Sequence, residues 1–220
     1  MDNLYPMRIN KYLASKKIST RRGADELVEK KKVFINGKLA VLGGKVEKDD
    51  VVEVKGAEKK KYIYFAYNKP IGIETSSPRI DLFPLGRLDK ASHGLMILTN
   101  DGRITDQLLD PKYFHEKEYV VKTLNKLRSN FKQKMETGVN IEGYLTKKCK
   151  VTIVNDHTFK VILTEGKKHQ IRRMCSALFQ EVADLKRERI MNIKLGNLKS
   201  NTLREIKGEE LTIFLGGTLN

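Results

Sequence analysis

Apolar residues along this chain fall into short runs whose period changes repeatedly, the pattern of strands mixed with helices. Near the start Ile9 and Leu13 stand at i, i+4. After Ser19 and Thr20, either of which can cap a helix, Ala24, Leu27 and Val28 form a second helical stripe. The pattern then turns extended. Val33-Phe34-Ile35 and Leu39-Ala40-Val41 flank Asn36-Gly37, the dipeptide favoured in two-residue hairpin turns, and residues 51–54 supply another strand. A polar run, Gly56-Ala57-Glu58-Lys59-Lys60-Lys61, follows. It predicts a small domain over residues 1–57, a linker over 58–61 and a larger domain over 62–220.

In the larger part, residues 62–67 and 95–98 are apolar on both faces, as central strands are. Residues 118–122 and 159–164 alternate as half-buried strands do, and helices are predicted at 103–109, 129–136 and 168–179. In the last of these Ile171, Met174, Cys175, Leu178 and Phe179 make one apolar stripe. The expected class is α+β, with a mixed sheet and flanking helices in the larger domain.

No apolar run approaches the ~18 residues a membrane span needs. The start, Met-Asp-Asn-Leu-Tyr-Pro, lacks the basic and apolar regions of a signal peptide. Two distant cysteines, Cys149 and Cys175, give neither a disulfide framework nor a zinc-ligand spacing. A cytoplasmic protein without metal is expected.

Charge adds a partner. Forty-three Lys and Arg against 27 Asp and Glu leave a net charge of +16, a surface suited to a polyanion. Between Arg8 and Lys32 there are nine basic and three acidic residues. Arg8, Lys11, Arg21 and Arg22 crowd the starts of the two predicted helices, where free N–H groups and guanidinium groups together favour phosphate. Arg8-Ile9-Asn10-Lys11-Tyr12-Leu13, Ser19-Thr20-Arg21-Arg22 and Val33-Phe34-Ile35-Asn36-Gly37-Lys38 resemble an S4 RNA-binding domain. The resemblance implies binding of structured RNA through Arg8, Lys11, Arg21 and Arg22.

Three segments of the larger domain could carry chemistry. Gly86-Arg87-Leu88-Asp89 opens a loop that runs to Gly94 and into a buried strand. By itself, Asp89 there reads as a turn former. Tyr119 shares a strand face with Val121, which alone means core packing. Lys168, His169, Arg172 and Arg173 gather at the start of the last predicted helix, where dipole and side chains both attract an anion. His169 has no second ligand at metal-binding spacing.

Taken in order with Asn68-Lys69-Pro70-Ile71-Gly72, these segments resemble the pseudouridine synthases, in the branch of S4-bearing ribosomal RNA enzymes. Thr146-Lys147-Lys148-Cys149-Lys150, Arg172-Arg173-Met174-Cys175 and Arg187-Glu188-Arg189-Ile190-Met191-Asn192 look most like the large-subunit synthase F group. The segment from Pro70 to Gly86 is shorter than is usual there, and His93 stands where the group tends to carry Gln or Thr. The resemblance implies isomerisation of a uridine, expected in 23S rRNA, by a base-flipping mechanism with no cofactor. It assigns catalysis to Asp89, Tyr119 and Arg172, the vacated place in the RNA to Arg87, and phosphate contacts to Lys168 and Arg173. Transfer RNA and 16S rRNA are the competing substrates, and a monomer is expected. The rival classes are a catalytically silent RNA-binding or ribosome-assembly protein and an aminoacyl-tRNA synthetase; the latter lacks its HIGH and KMSKS segments.

Overall fold

The computed structural model describes residues 5–16, 18–56 and 61–219. Lys17 and residues 57–60, which hold most of the expected linker, lie outside them. The chain divides into two compact units, Met1–Tyr62 with Asp101–Arg103, and Ile63–Asn100 with Ile104–Asn220.

The first unit runs β1 (Met7–Arg8), α1 (Ile9–Ser15), α2 (Arg21–Glu29), β2 (Val33–Ile35), β3 (Lys38–Leu39), β4 (Lys45–Val46) and β5 (Val52–Val54). Thr20 caps α2, its hydroxyl accepting the Gly23 N–H at 2.9 Å. Asn36 (φ 49°) and Gly37 (φ 75°) are both left-handed, as the β2–β3 turn requires. The Asn36 side chain also accepts the Val51 N–H and donates to Asp50, tying that turn to the approach of β5. Ile9, Leu13, Ala24, Val28, Val33, Ala40 and Val46 form the core. The pairing of β1 with β4 is not foreshadowed by periodicity, because each strand has only two residues.

The second unit runs β6 (Tyr64–Lys69), β7 (Phe83–Leu85), β8 (His93–Thr99), α3 (Thr105–Leu109), β9 (Lys117–Thr123), α4 (Phe131–Thr137), β10 (Asn140–Ile141), β11 (Tyr144–Leu145), β12 (Lys150–Asn155), β13 (Thr158–Leu163), α5 (Gln170–Ala177), β14 (Val182–Ile190), β15 (Ile193–Lys194), β16 (Leu203–Glu205) and α6 (Gly208–Leu219). Its main sheet is ordered β12-β13-β9-β14-β8-β6-β16, with β15 on β14 and β7 on β8. All pairings are antiparallel except β14 with β8, which meet in parallel at Lys186↔His93 and Arg187↔Gly94. The sheet is thus two antiparallel halves joined along a short parallel seam. Val121, Phe159, Val161 and Leu185 pack with residues of α4 and α5 on one half. Tyr67, Leu82, Leu88, Met96 and Leu98 pack on the other, and Tyr119 touches both clusters.

The class is α+β, as the pattern predicts, with shifted boundaries. The strand expected at 62–67 runs on to Lys69, because the buried polar residues at its end are satisfied. Asn68 donates to the Leu198 carbonyl at 2.7 Å, and Lys69 donates to the carbonyls of Pro70 and Ile73. The helix expected over 168–179 is trimmed to Gln170–Ala177, because His169 (φ 51°) and Phe179 (φ 59°) are left-handed.

Candidate active site

The loop from Gly86 to Ser92 leads straight into the seam. At its far end Gly94 has φ 104°, and a Cβ there would stand 2.4 Å from the Arg187 carbonyl oxygen, so the close approach of β8 to β14 requires glycine. Leu88 is buried in the core and anchors the loop, leaving Asp89 with its side chain 19% exposed.

Four groups hold this loop. The Thr75 hydroxyl bonds to both the carbonyl and the N–H of Leu88. The Gly72 N–H donates to the Lys90 carbonyl at 2.8 Å. Arg172, in the first turn of α5, places Nε 3.7 Å from Asp89 Oδ2 while a terminal nitrogen donates to the Ala91 carbonyl at 2.9 Å and the Ser92 hydroxyl at 3.4 Å. The buried Arg187 guanidinium donates to the Leu95 carbonyl at 2.7 Å and to the Arg87 carbonyl at 3.5 Å. Asp89 Oδ1 and Arg172 Nε are both buried without a hydrogen-bond partner, so the pair is held by charge and not by a formed hydrogen bond.

Lys69 belongs to the same environment. Burial pulls its ammonium below the ordinary lysine value, while the Asp89 carboxylate pushes back. The positive charge therefore helps to offset the half-buried carboxylate. Tyr119 lies opposite Arg187 across β9–β14 and packs on the cluster that contains Leu88. Lys117, two residues earlier on β9, shares its face. Burial, reinforced by the Arg187 cation, lowers Lys117 to about 8.

The entrance to α5 is fixed by another carboxylate. Glu165 accepts from the Tyr144 hydroxyl (2.6 Å), the Lys147 N–H (2.9 Å) and Gln170 Nε2 (2.7 Å). Burial would raise its pKa, but these donors outweigh burial and the net shift is downward. This network sets the helix that presents Arg172.

The structure thus brings Asp89 and Arg172 together and puts Tyr119 against the same loop. Arg87 and Lys168 are exposed. Arg173, expected to meet phosphate, is engaged with Glu142 at 2.8 Å and with the Ile141 carbonyl. In the free protein the anion that Arg173 meets is the adjacent Glu142 carboxylate. In the first unit Arg8, Lys11, Arg21 and Arg22 are all exposed, and α1 is linked to α2 by Asn10 donating to Asp25. His93 pairs with Asp184 at 3.0 Å. Cys149 and Cys175 are free thiols. Among the described residues, no group of His, Cys, Asp and Glu could hold a metal and no helix is long and apolar enough to cross a membrane.

Thr75 and Arg187, which hold the loop, and Lys69, whose charge acts on Asp89, were assigned no roles from sequence. Lys69 sits in the Asn68–Gly72 motif, and Arg187 interrupts a strand with charges that do not alternate, but a side chain serving backbone carbonyls leaves no periodic mark.

Residues 79–177 match the RNA pseudouridylate synthase family and residues 7–52 the S4 domain. The chain is 38% identical over 223 residues to the dual-specificity RNA pseudouridine synthase RluF of Escherichia coli K12, covering 93% of this chain and 77% of that one. It is 32% identical to ribosomal large subunit pseudouridine synthase B of Bacillus subtilis 168, covering 93% of each. Among solved structures, a crystal structure of a pseudouridylate synthase superposes with a TM-score of 0.71 at 26% identity, covering 94% of this chain and 98% of that one. With both domains matched and the motif-bearing loop, strand and helix meeting at one seam, the chain belongs to the S4-domain-bearing RNA pseudouridine synthases.

Proposed function

We propose that this enzyme isomerises a uridine of 23S ribosomal RNA, acting as a monomer and without a cofactor, with Asp89 as the group that acts at the ribose. The observation that carries the assignment is the Asp89–Arg172 pair, 3.7 Å apart at the parallel seam of the sheet, on a loop pinned by Thr75, Gly72 and Arg187. The large-subunit synthase among the relatives supports the choice of RNA.

The reaction breaks the N1–C1′ bond, turns the base and joins C5 to C1′; the C5 proton leaves and N1 ends protonated. Product and substrate are isomers, so neither an electron carrier nor a group donor enters the balance. One reactive carboxylate suits such a step, whereas glycoside hydrolysis uses a second to handle water. Arg172 steers and neutralises the Asp89 carboxylate. Tyr119 stacks on the extruded base and its hydroxyl serves the C5 proton. Extrusion costs a few kcal/mol, and exposed Arg87 fills the vacated stack. Lys168 meets phosphate beside the site, and Arg173 does so by exchanging Glu142 for the backbone. Residues 1–57 grip the RNA through Arg8, Lys11, Arg21 and Arg22.

The test is to map pseudouridines in total RNA from cells with and without the protein, and in purified RNAs treated with it. A protein-dependent site in 23S rRNA is expected. A site in 16S rRNA or tRNA instead would displace the substrate and keep the reaction; absence of any new pseudouridine would sink the assignment.

A further inference from the structure

Phe179 occupies a position that its residue type does not favour. At the end of α5 the N–H groups of Leu178, Phe179 and Gln180 turn back to carbonyls of Met174, Cys175 and Ser176, and Phe179 itself is left-handed at φ 59°. Glycine ordinarily fills that place in a helix stop, because a Cβ there is strained. The strain is not offset by packing, since Phe179 is 72% exposed. The exposed Arg128 guanidinium sits 4.8 Å from the centre of its ring. Arg128, Asn130, Lys134, Phe131, Leu178 and Phe179 line a small cleft there that contains no acidic side chain.

We propose that Phe179 and Arg128 form a stacking platform for an unpaired base of the substrate RNA, with Asn130 and Lys134 receiving the adjoining sugar and phosphate. An open aromatic ring, a stacked guanidinium and uncompensated positive charge are what single-stranded nucleic acid binds without regard to sequence. An apolar protein partner would gain nothing from the cations. Arg172 stands in the first turn of α5 and Phe179 just past its last residue, Ala177, at the far end of a helix about 12 Å long. A strand whose target nucleotide sits at Asp89 therefore brings its near neighbours within reach of the platform. The inference rests on the proposed RNA-modifying activity and adds a contact that this activity does not require.

The experiment measures thermal midpoints of the full-length protein and its binding to a short fluorescent oligouridylate and to 23S rRNA, comparing wild type with Phe179→Gly, Phe179→Leu and Phe179→Tyr. Phe179→Gly is expected to raise the midpoint by about 2–4 °C through relief of backbone strain and to weaken RNA binding by about tenfold. Phe179→Leu should lose affinity without the thermal gain, and Phe179→Tyr should bind as wild type does. A Gly or Leu variant that binds both RNAs with wild-type affinity would overturn the proposal. Pseudouridine formation by the wild-type protein on 23S rRNA tests the activity separately, whatever these variants do.

Discussion

The Thr75 hydroxyl donates to the Leu88 carbonyl at 2.6 Å and accepts from the Leu88 N–H at 3.0 Å, so both backbone polar groups of the residue before Asp89 end on one oxygen. Rotation about the Leu88 backbone is thereby blocked from outside the loop, and the direction of the Asp89 side chain is blocked with it. Thr75→Val keeps the shape and removes the hydroxyl. It should cost about 1–3 kcal/mol of stability through the two orphaned groups and lower kcat by about 10–100-fold with little change in KM. Thr75→Ser should restore most of both. Equal kcat for the Val and Thr proteins would show that the loop holds Asp89 without this clamp.

Asp89→Asn should bind RNA almost normally and release no tritium from RNA labelled at uridine C5. Arg172→Lys should fold but lose about 100-fold or more in turnover, since an ammonium cannot serve Asp89, Ala91 and Ser92 from one planar group. Substantial tritium release by Asp89→Asn would remove this residue from catalysis.

Tyr119→Phe retains the ring that bridges the two core clusters. If the hydroxyl serves the C5 proton, the variant should stack the base and stall after glycosidic cleavage. Wild-type product yield would reduce Tyr119 to a stacking role.

Lys117 gives a pH signature. Its folded pKa of about 8 lies below the ~10.4 of an unfolded chain, so its charge opposes folding wherever both states are protonated. That opposition fades as pH rises from about 8 towards 10. Cys149 and Cys175, raised by burial to about 11 and about 12, act in the other direction above pH ~8.5, because the unfolded thiols ionise first. Comparison with Lys117→Met cancels the cysteines. Urea unfolding should find the variant more stable by about 1–3 kcal/mol near neutrality, with the gap narrowing by about half or more at pH ~9.5. A gap independent of pH would contradict the burial argument.

Arg21 and Arg22 open α2 on the exposed face of the first unit. Replacing both with Gln should lower RNA affinity at moderate salt and flatten the dependence of log K on log salt by about 1.4–1.8. An unchanged slope would mean that these side chains do not touch phosphate.

Much of this architecture is written locally. Asn36-Gly37 and the Thr20 cap each depend on residues within one or two turns and are where periodicity places them. The α5 stripe holds at Ile171, Met174 and Cys175, whereas Phe179, read as part of it, lies past the helix end and is 72% exposed. What local pattern cannot show is the seam. Gly94 meets Arg187 across more than ninety residues, and Lys69 reads as a solvent residue until the carbonyls of Pro70 and Ile73 are seen around its ammonium. Arg173 was legible as a cation but not as a partner of Glu142, which approaches from the β10–β11 turn. The Asp89–Arg172 pairing was accessible only through family resemblance, because nothing in either segment's own pattern points to the other.

Glu165 and Asp89 leave this enzyme with two carboxylates in opposite chemical situations. Every donor Glu165 needs is already in place and it is 2% exposed, whereas the Asp89 side chain is 19% exposed and its Oδ1 is met by no donor. A carboxyl-directed reagent such as a carbodiimide would accordingly modify position 89 while passing over position 165, turning one protein into both the target and its own internal control for labelling beside Arg172.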